Sequence, residues 1–322
     1  MDAFECNESQ VVSAADFRRL YDEVRAWMAP DDHGRIGGLQ HLTPERVAAA
    51  TRLVRTGTTC SLARDLDTVR RPDNPSPADH HMTLLPATGD GQEPGTGGLA
   101  GVRFAKDYVG VDYHIDTHSH IDALSHVAYD GQLYGGTPAD SVTAAGASHG
   151  DIGALRHGLV GRGVLLDIPR VRGVPWLEPG DSVTPEDVAI AEHDQGVRGG
   201  PGDIVLMRTG HTRRLAEMPS WDPGNAKPGL HPEIARYLAE RRVAALGSDG
   251  NSDTAPSVVE GEGFPIHVLA INALGLHMLD YLSFEDVATH CETEGRWEFL
   301  FVASPLRIVG GTGSPINPIA VF

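Results

Sequence analysis

The segment from Tyr113 to Gly136 concentrates side chains that bind metal ions. Four of the 16 histidines of the chain fall within 13 residues of it, and two aspartates lie between them. In chain order these residues are His114, Asp116, His118, His120, Asp122 and His126. Imidazole and carboxylate groups are the ligands that zinc and manganese take in proteins. This segment therefore predicts a zinc or manganese site, with a solvated or hydrogen-bonded histidine cluster as the alternative.

The spacing of the six residues also indicates that they converge. Successive members lie two or four positions apart. In an extended chain, side chains two residues apart point to the same face. We therefore expect Asp116, His118, His120 and Asp122 to share one face, and His114 and His126 to join it if the chain stays extended. A single strand or loop would then supply several ligands with little further loss of chain entropy.

Composition limits the classes of protein that could carry such a site. The 322 residues are 40% hydrophobic and 22% charged, as in a soluble globular protein. The net charge of −18 argues against nucleic acid or an anionic membrane as a partner, because both need a basic surface. No apolar run reaches the roughly 18 residues of a membrane helix, and the chain begins without a secretory signal pattern. Three scattered cysteines favour a reducing compartment, so we expect a cytoplasmic protein. With nucleic acid and membranes disfavoured as partners, we expect a small-molecule substrate.

Hydrophobic patterning predicts alternating helices and strands around the site. Short apolar runs predict strands at 163–168, 203–208, 243–247 and 298–303. Helical periodicity and capping residues predict helices at 12–28, from Thr43 onward, and at 184–193, 231–242 and 284–295.

The domain organisation follows from the same patterning. Residues 71–101 are rich in Gly and Pro and predict a long loop. We interpret 1–100 as a helical extension with this loop and 101–322 as the main domain. The two are expected to form one folded α/β unit with a β-rich core flanked by helices.

The run HIDALSH from His120 to His126 resembles the core of the signature H-x-G-T-H-x-D-x-P-x-H. This signature is typical of the cyclase family of metal-dependent hydrolases, which includes bacterial kynurenine formamidases and isatin hydrolases. Later stretches look like that family's landmarks in the expected order, at 165–188, 202–212, 245–250, 267–282 and 299–322. The resemblance covers about residues 100–322 and implies the swivelling β/β/α type of fold.

Residue by residue, the resemblance implies roles for the histidine-rich segment. The first motif histidine falls on Asp116, the second on His120 and the motif aspartate on Asp122, which marks these three as metal ligands. The last motif histidine falls on His126, which the resemblance implies as the general acid and base. Its ordinary pKa near 6.5 suits proton transfer to a leaving nitrogen.

A second ion is held in some family members by a histidine and an acid from a later, helix-like segment. His267 and Asp280 match those positions here, with aspartate where glutamate is usual. Asp122 would then bridge the two ions. The resemblance therefore implies one or two ions of zinc or manganese.

Three departures from the signature affect this assignment. Asp116 replaces histidine, His118 replaces glycine and Leu124 replaces proline. Aspartate remains a competent ligand, although it shifts the metal preference toward manganese. His118 is either a substitute ligand or a residue just outside the ligands, and His114 has the same two readings.

The function implied is hydrolysis of a small cyclic amide, N-formyl compound or related carbonyl compound. A bound dication activates water and polarises a carbonyl at neutral pH. Two alternatives remain at this point. One is a ring-closing or dehydrating enzyme of secondary metabolism, and the other is a small-molecule binding protein with a decayed metal site.

Two further expectations concern the surroundings of the site. Tyr113, Trp176 and Phe264 are candidates for the wall of the substrate pocket. The family resemblance also implies a homodimer or homotetramer.

Overall fold

The computed structural model describes residues 11–27, 35–84 and 104–322. Its α-helices are α1 (Ala14–Trp27), α2 (Pro44–Ala50), α3 (Ile168–Arg172), α4 (Pro185–Asp194), α5 (His211–Glu217), α6 (Ile234–Arg241), α7 (Pro265–His267) and α8 (Glu285–Glu294). Its strands in the first half of the chain are β1 (Thr59–Ser61), β2 (Asp79–Leu84), β3 (Lys106–Gly110), β4 (His120–Asp122), β5 (Val142–Thr143), β6 (Gly146–Ala147) and β7 (Leu159–Asp167). The later strands are β8 (Ser182–Val183), β9 (Ile204–Arg208), β10 (Gly229–Leu230), β11 (Ala245–Ser248), β12 (His277–Asp280), β13 (Glu298–Ala303), β14 (Gly313–Pro315) and β15 (Ile319–Val321).

One nine-stranded sheet organises the molecule, in the order β1-β15-β13-β7-β9-β11-β12-β4-β14. The four central strands β7, β9, β11 and β12 are parallel, and the strands outside them are antiparallel to their neighbours. Every residue of β9, β11 and β12 is buried. Such continuous burial is typical of parallel strands, whose two faces are both covered. The structure confirms a mixed α/β single domain with a large sheet flanked by helices.

The strands and helices predicted from hydrophobic patterning are present. The strands predicted at 163–168, 203–208, 243–247 and 298–303 are β7, β9, β11 and β13, and the helices predicted at 12–28, 184–193, 231–242 and 284–295 are α1, α4, α6 and α8. Thr184 and Asp187 form a reciprocal capping box at the start of α4. Gly295 ends α8 in the left-handed conformation, which glycine adopts without strain.

Two predictions about irregular segments were wrong in part. The stretch 71–101 contains strand β2, which pairs with β3 in an antiparallel ribbon, and residues 85–101 of it lie outside the described part of the chain. The helix-like segment expected at 267–282 is helical only to Ala273, and Asp280 ends strand β12. The chain turns at Gly275, whose φ is +67° and where a Cβ would lie 2.4 Å from the ring of Tyr134.

The N-terminal part shares the hydrophobic core of the rest of the chain. Phe17, Leu20 and Val24 of α1 are buried in the core, and β1 forms an edge strand of the nine-stranded sheet through its pairing with β15. The boundary placed at residue 100 stays a prediction. Within the described residues, no helix has both the length and the apolar character needed to cross a bilayer.

His277 in β12 makes the fold sensitive to acid. Its side chain is fully buried, neither ring nitrogen has a hydrogen-bond partner, and burial lowers its pKa from 6.5 to about 4. Its neutral form therefore contributes stability that is complete above pH 6.5 and is lost as the pH falls toward 4. From pH 7 to pH 5, protonation linked to His277 should cost wild type about 2 kcal/mol of unfolding free energy. The variant His277→Leu should not show this loss.

Chemical denaturation at the two pH values measures this difference. His193→Leu is the matched control, because it makes the same change at an exposed position of α4. An equal loss of stability in His277→Leu and wild type would contradict the assignment.

Candidate metal centre

Strands β4 and β12 bring three of the predicted ligands together. The antiparallel register pairs His120 with Asp280 and Asp122 with Met278. Directly paired residues project from the same face of a sheet, and so do residues two apart on one strand. His120, Asp122 and Asp280 therefore share one face, and each is buried.

The carboxylate of Asp122 lies at the centre of this group. Its oxygens are 2.9 Å from Nδ1 of His114, 3.6 Å from Nε2 of His120 and 3.6 Å from Nε2 of His267. Although these nitrogens are close, neither oxygen accepts a hydrogen bond of acceptable geometry, and the residue is fully buried. Burial opposes its ionisation, but the surrounding imidazoles hold the pKa of Asp122 well below its ordinary value. A buried carboxylate without a hydrogen-bond donor is suited to a cation.

Hydrogen bonds on the far side of two rings fix their orientation. Nδ1 of His120 donates to the carbonyl of His118 over 2.7 Å, and Nδ1 of His267 donates to the carboxylate of Asp253 over 2.5 Å. Each bond leaves Nε2 directed toward Asp122, the arrangement that metal-bound histidines usually have. His267 ends the short helix α7, and a π-helical turn follows it directly.

His114 and His126 complete the cluster from the two ends of the segment. Their rings stack in parallel with centroids 4.0 Å apart, and Nε2 of His114 lies 3.1 Å from the hydroxyl of Thr312. Burial lowers the pKa of His126 to about 4, so its ring is neutral at pH 7. The chain is extended only over β4, so bends on either side of it, not continued extension, bring these two rings to Asp122.

The described residues contain two candidate donor groups that share Asp122. One consists of His120, Asp122 and Asp280, and the other of His114, Asp122 and His126. In each group the donor atoms lie within 4.8 Å of one another. His267 adds to the first group, because its Nε2 is 3.2 Å from the carboxylate of Asp280.

The charges of these groups also fit a dication. Asp122, Asp253 and Asp280 are essentially inaccessible to solvent and surround the single ring of His267. Burial lowers the pKa of His267, but the three carboxylates outweigh it and raise that pKa well above 6.5. Burial and the charge of Asp122 raise the pKa of Asp280. Mixed imidazole and carboxylate donors suit zinc or manganese.

Asp116 lies outside both donor groups. One oxygen of its carboxylate accepts from Nζ of Lys227 at 2.6 Å, from the amide of Asn251 at 3.2 Å and from the hydroxyl of Tyr281. Burial alone would raise the pKa of Asp116, but Lys227 and Tyr281 lower it below its ordinary value. The shared-face prediction therefore does not hold for Asp116: its side chain borders the same cavity as His120 and Asp280, but its carboxylate oxygen binds Lys227.

His118 is also directed away from the donors. Its Nε2 donates to the carbonyl of Ser76 at 3.2 Å, and burial lowers its pKa. The shared-face prediction is thus wrong for this residue as well. Both His118 and His114 had two readings, as a substitute ligand or as a residue just outside the ligands, and the geometry brings only His114 to Asp122.

A cavity of about 400 Å³ opens over the centre. Its polar side carries the donor residues, and the apolar side is formed by Val127, Ala128, Phe264 and Val268. Phe264 is 54% exposed and its ring lies 5.9 Å from that of His267, so its predicted place at the pocket agrees with the structure. This size and mixture of surfaces are typical of small-molecule sites.

The other two predicted pocket residues do not line this cavity. Trp176 donates its indole N–H to Glu178 at 2.8 Å and is not among the residues that line the cavity. Tyr113 lies behind His114, with ring centroids 4.5 Å apart, and donates its hydroxyl to the carbonyl of Gly313.

Sequence reasoning missed Asp253, Lys227 and Tyr281. Asp253 orients His267, and the other two bind Asp116. Each lies more than 100 residues from Asp116 in the chain, so no local spacing relates it to the histidine-rich segment. The polar turn after β11, which contains Asp253, was the available signal.

Comparison with known proteins agrees with this geometry. The Cyclase family model matches residues 47–253, more than half of the chain. The chain belongs to the Cyclase family. The match includes the whole histidine-rich segment and Asp253, and it ends before His267 and Asp280.

The individual relatives share 30% or less of their aligned residues with this chain. The isatin hydrolase of Roseibium aggregatum is 28% identical over 127 residues, which are 38% of this chain and 46% of the relative, so less than half of that relative is matched. A crystal structure described as a novel cyclase is 30% identical, with a TM-score of 0.79 over 91% of this chain and 97% of its own. Isatin hydrolase A from Labrenzia aggregata, bound to benzyl benzoate, is 23% identical with a TM-score of 0.56 over 84% and 94% of the two chains, and shows the shared fold.

Proposed function

We propose that the protein is a metal-dependent hydrolase of a small cyclic amide, N-formyl compound or related carbonyl compound. The observation that carries this proposal is the buried carboxylate of Asp122, surrounded by oriented imidazoles and without a hydrogen-bond donor. The isatin hydrolase of R. aggregatum and the structures of isatin hydrolases support the same reaction class.

The residues that would hold the ion follow from the donor groups. His120, Asp122, Asp280 and His267 would hold one ion of zinc or manganese, and Asp122 with His114 offers donors for a second. A bound dication supplies an activated water and polarises the carbonyl of the substrate.

Side chains that line the cavity would supply proton transfer and substrate binding. His126 lines the cavity next to the donors, and its ring is neutral at pH 7. A ring nitrogen of His126 accepts the proton of the attacking water and returns it to the leaving nitrogen. The apolar wall of Val127, Phe264 and Val268 binds the hydrocarbon part of the substrate and excludes water from it.

A substrate panel tests the proposal. The chain is supplied with zinc or manganese and incubated with isatin, with an N-formyl arylamine and with an unstrained cyclic amide, and products are identified by mass spectrometry. We expect metal-dependent turnover of at least one of these compounds, seen as gain of the mass of one water on ring opening of isatin or the cyclic amide, or as release of formate and the free arylamine from the N-formyl compound. Metal-dependent loss of water from a ring-opened compound would support a ring-closing enzyme, and binding without turnover would support a binding protein.

A further inference from the structure

A partly buried polar cluster adjoins the donor groups without belonging to them. It consists of Asp116, Lys227 and Tyr281, which we call the brace. Lys227 is only 2% exposed, and Asp116 supplies its counter-charge at 2.6 Å. The hydroxyl of Tyr281 donates to the same carboxylate oxygen. A buried ammonium requires a paired carboxylate, and this oxygen of Asp116 is the one that pairs with Lys227. Binding a metal ion through it would disrupt that ion pair.

Tyr281 connects the brace to the metal centre. It directly follows Asp280, whose carboxylate is 3.2 Å from His267, and its backbone has a φ of +54°. A bulky side chain adopts this left-handed conformation only where the surrounding structure holds it. The anchored backbone and ring of Tyr281 hold the end of β12, from which the side chain of Asp280 projects.

Three contacts hold Tyr281 in this conformation. Its backbone N–H donates to the carbonyl of Gly250 at 2.8 Å, and its own carbonyl accepts from the hydroxyl of Ser119 at 2.6 Å. The third contact joins the phenol hydroxyl of Tyr281 to the carboxylate of Asp116.

We propose that Asp116, Lys227 and Tyr281 are positioning residues that fix Asp280 toward the ion, and that Asp116 is not itself a ligand. The inference rests on the proposed function, because it assumes that the centre binds a metal. The proposal also assigns a role to Asp116, which occupies a position where the family signature has histidine.

Tyr281→Phe is the cleanest test, since it removes one hydroxyl and no charge. Affinity for Zn²⁺ and Mn²⁺ is measured on the folded, metal-stripped chain by competition with a chromophoric chelator. We expect roughly 10- to 100-fold weaker binding with the number of ions per chain unchanged, the effect typical of groups that orient ligands. Tyr237→Phe is the matched control, because its hydroxyl also donates to a carboxylate, that of Glu192, elsewhere in the fold. Affinity equal to wild type in Tyr281→Phe would overturn the proposal.

A second variant separates positioning from ligation. Asp116→Asn combined with Lys227→Met removes both charges, so that no buried ammonium is left unpaired. The brace predicts that this double variant binds metal about as tightly as Tyr281→Phe. Loss of an ion from the stoichiometry, or affinity far below that of Tyr281→Phe, would show that Asp116 is a ligand and overturn the proposal. A wild-type chain that binds neither ion would instead refute the proposed function, and the brace with it.

Discussion

Asp122→Asn is expected to abolish metal-dependent stabilisation and nearly all hydrolytic activity. The substitution preserves size but removes the charge shared by both donor groups. Loss of about 4 kcal/mol of transition-state stabilisation corresponds to a rate decrease of roughly 10³-fold. With metal at about 100 times its dissociation constant, wild type should gain about 2.7 kcal/mol of unfolding free energy. The variant should gain none. Thermal unfolding with and without metal, together with an activity assay, measures both effects.

The metal-free variant should be less stable than metal-free wild type at pH 7, because the imidazoles that lower the pKa of Asp122 stabilise its charged form in the fold. Asp286→Asn is the matched control, since it removes the same charge from the exposed first turn of α8. An Asp122→Asn chain that keeps the full metal-induced stabilisation would show that the ion binds elsewhere.

His126→Ala is expected to lower kcat by roughly 10²- to 10⁴-fold while the chain keeps its metal, as for loss of a general acid and base. The neutral ring of His126 faces the cavity, and His120, Asp280 and His267 remain to hold an ion with Asp122. Steady-state kinetics and elemental analysis on the same preparation measure the two properties together.

His126 also belongs to the second donor group, so the experiment decides between two roles. Loss of one ion per chain together with activity would make His126 a ligand and contradict its role in proton transfer. His193→Ala, at an exposed histidine of α4, controls for the loss of an imidazole.

Much of the fold could be predicted because its elements carry local signals. The apolar runs of β7, β9 and β11 and the caps of α4 and α8 lie within a few residues of the structures they specify. Strand β2 lacks such a signal, since it lies within a polar stretch and most of its residues are exposed. The change from helix to strand after Ala273 depends on packing of Gly275 against Tyr134, which no local pattern reveals.

The site was predictable to the extent that one segment supplies it. His120 and Asp122 were placed by their spacing, and His267 and Asp280 by family resemblance, and the structure brings all four together. Asp116 fits the same spacing, yet its carboxylate binds Lys227, a residue 111 positions away in the chain. The competing charge of a distant lysine is a tertiary effect that spacing cannot reveal.

The homodimer or homotetramer implied by the resemblance stays a prediction. Light scattering on the purified chain measures it directly.

Elemental analysis of the purified chain tests the central claim most directly. Zinc, manganese and iron are measured per chain in wild type and in a variant that combines His120→Ala with Asp122→Ala. We predict one or two equivalents of zinc or manganese in wild type and none in the variant. A metal-free wild type that takes up neither ion when supplied with it, or a variant that keeps its full metal content, would contradict the account.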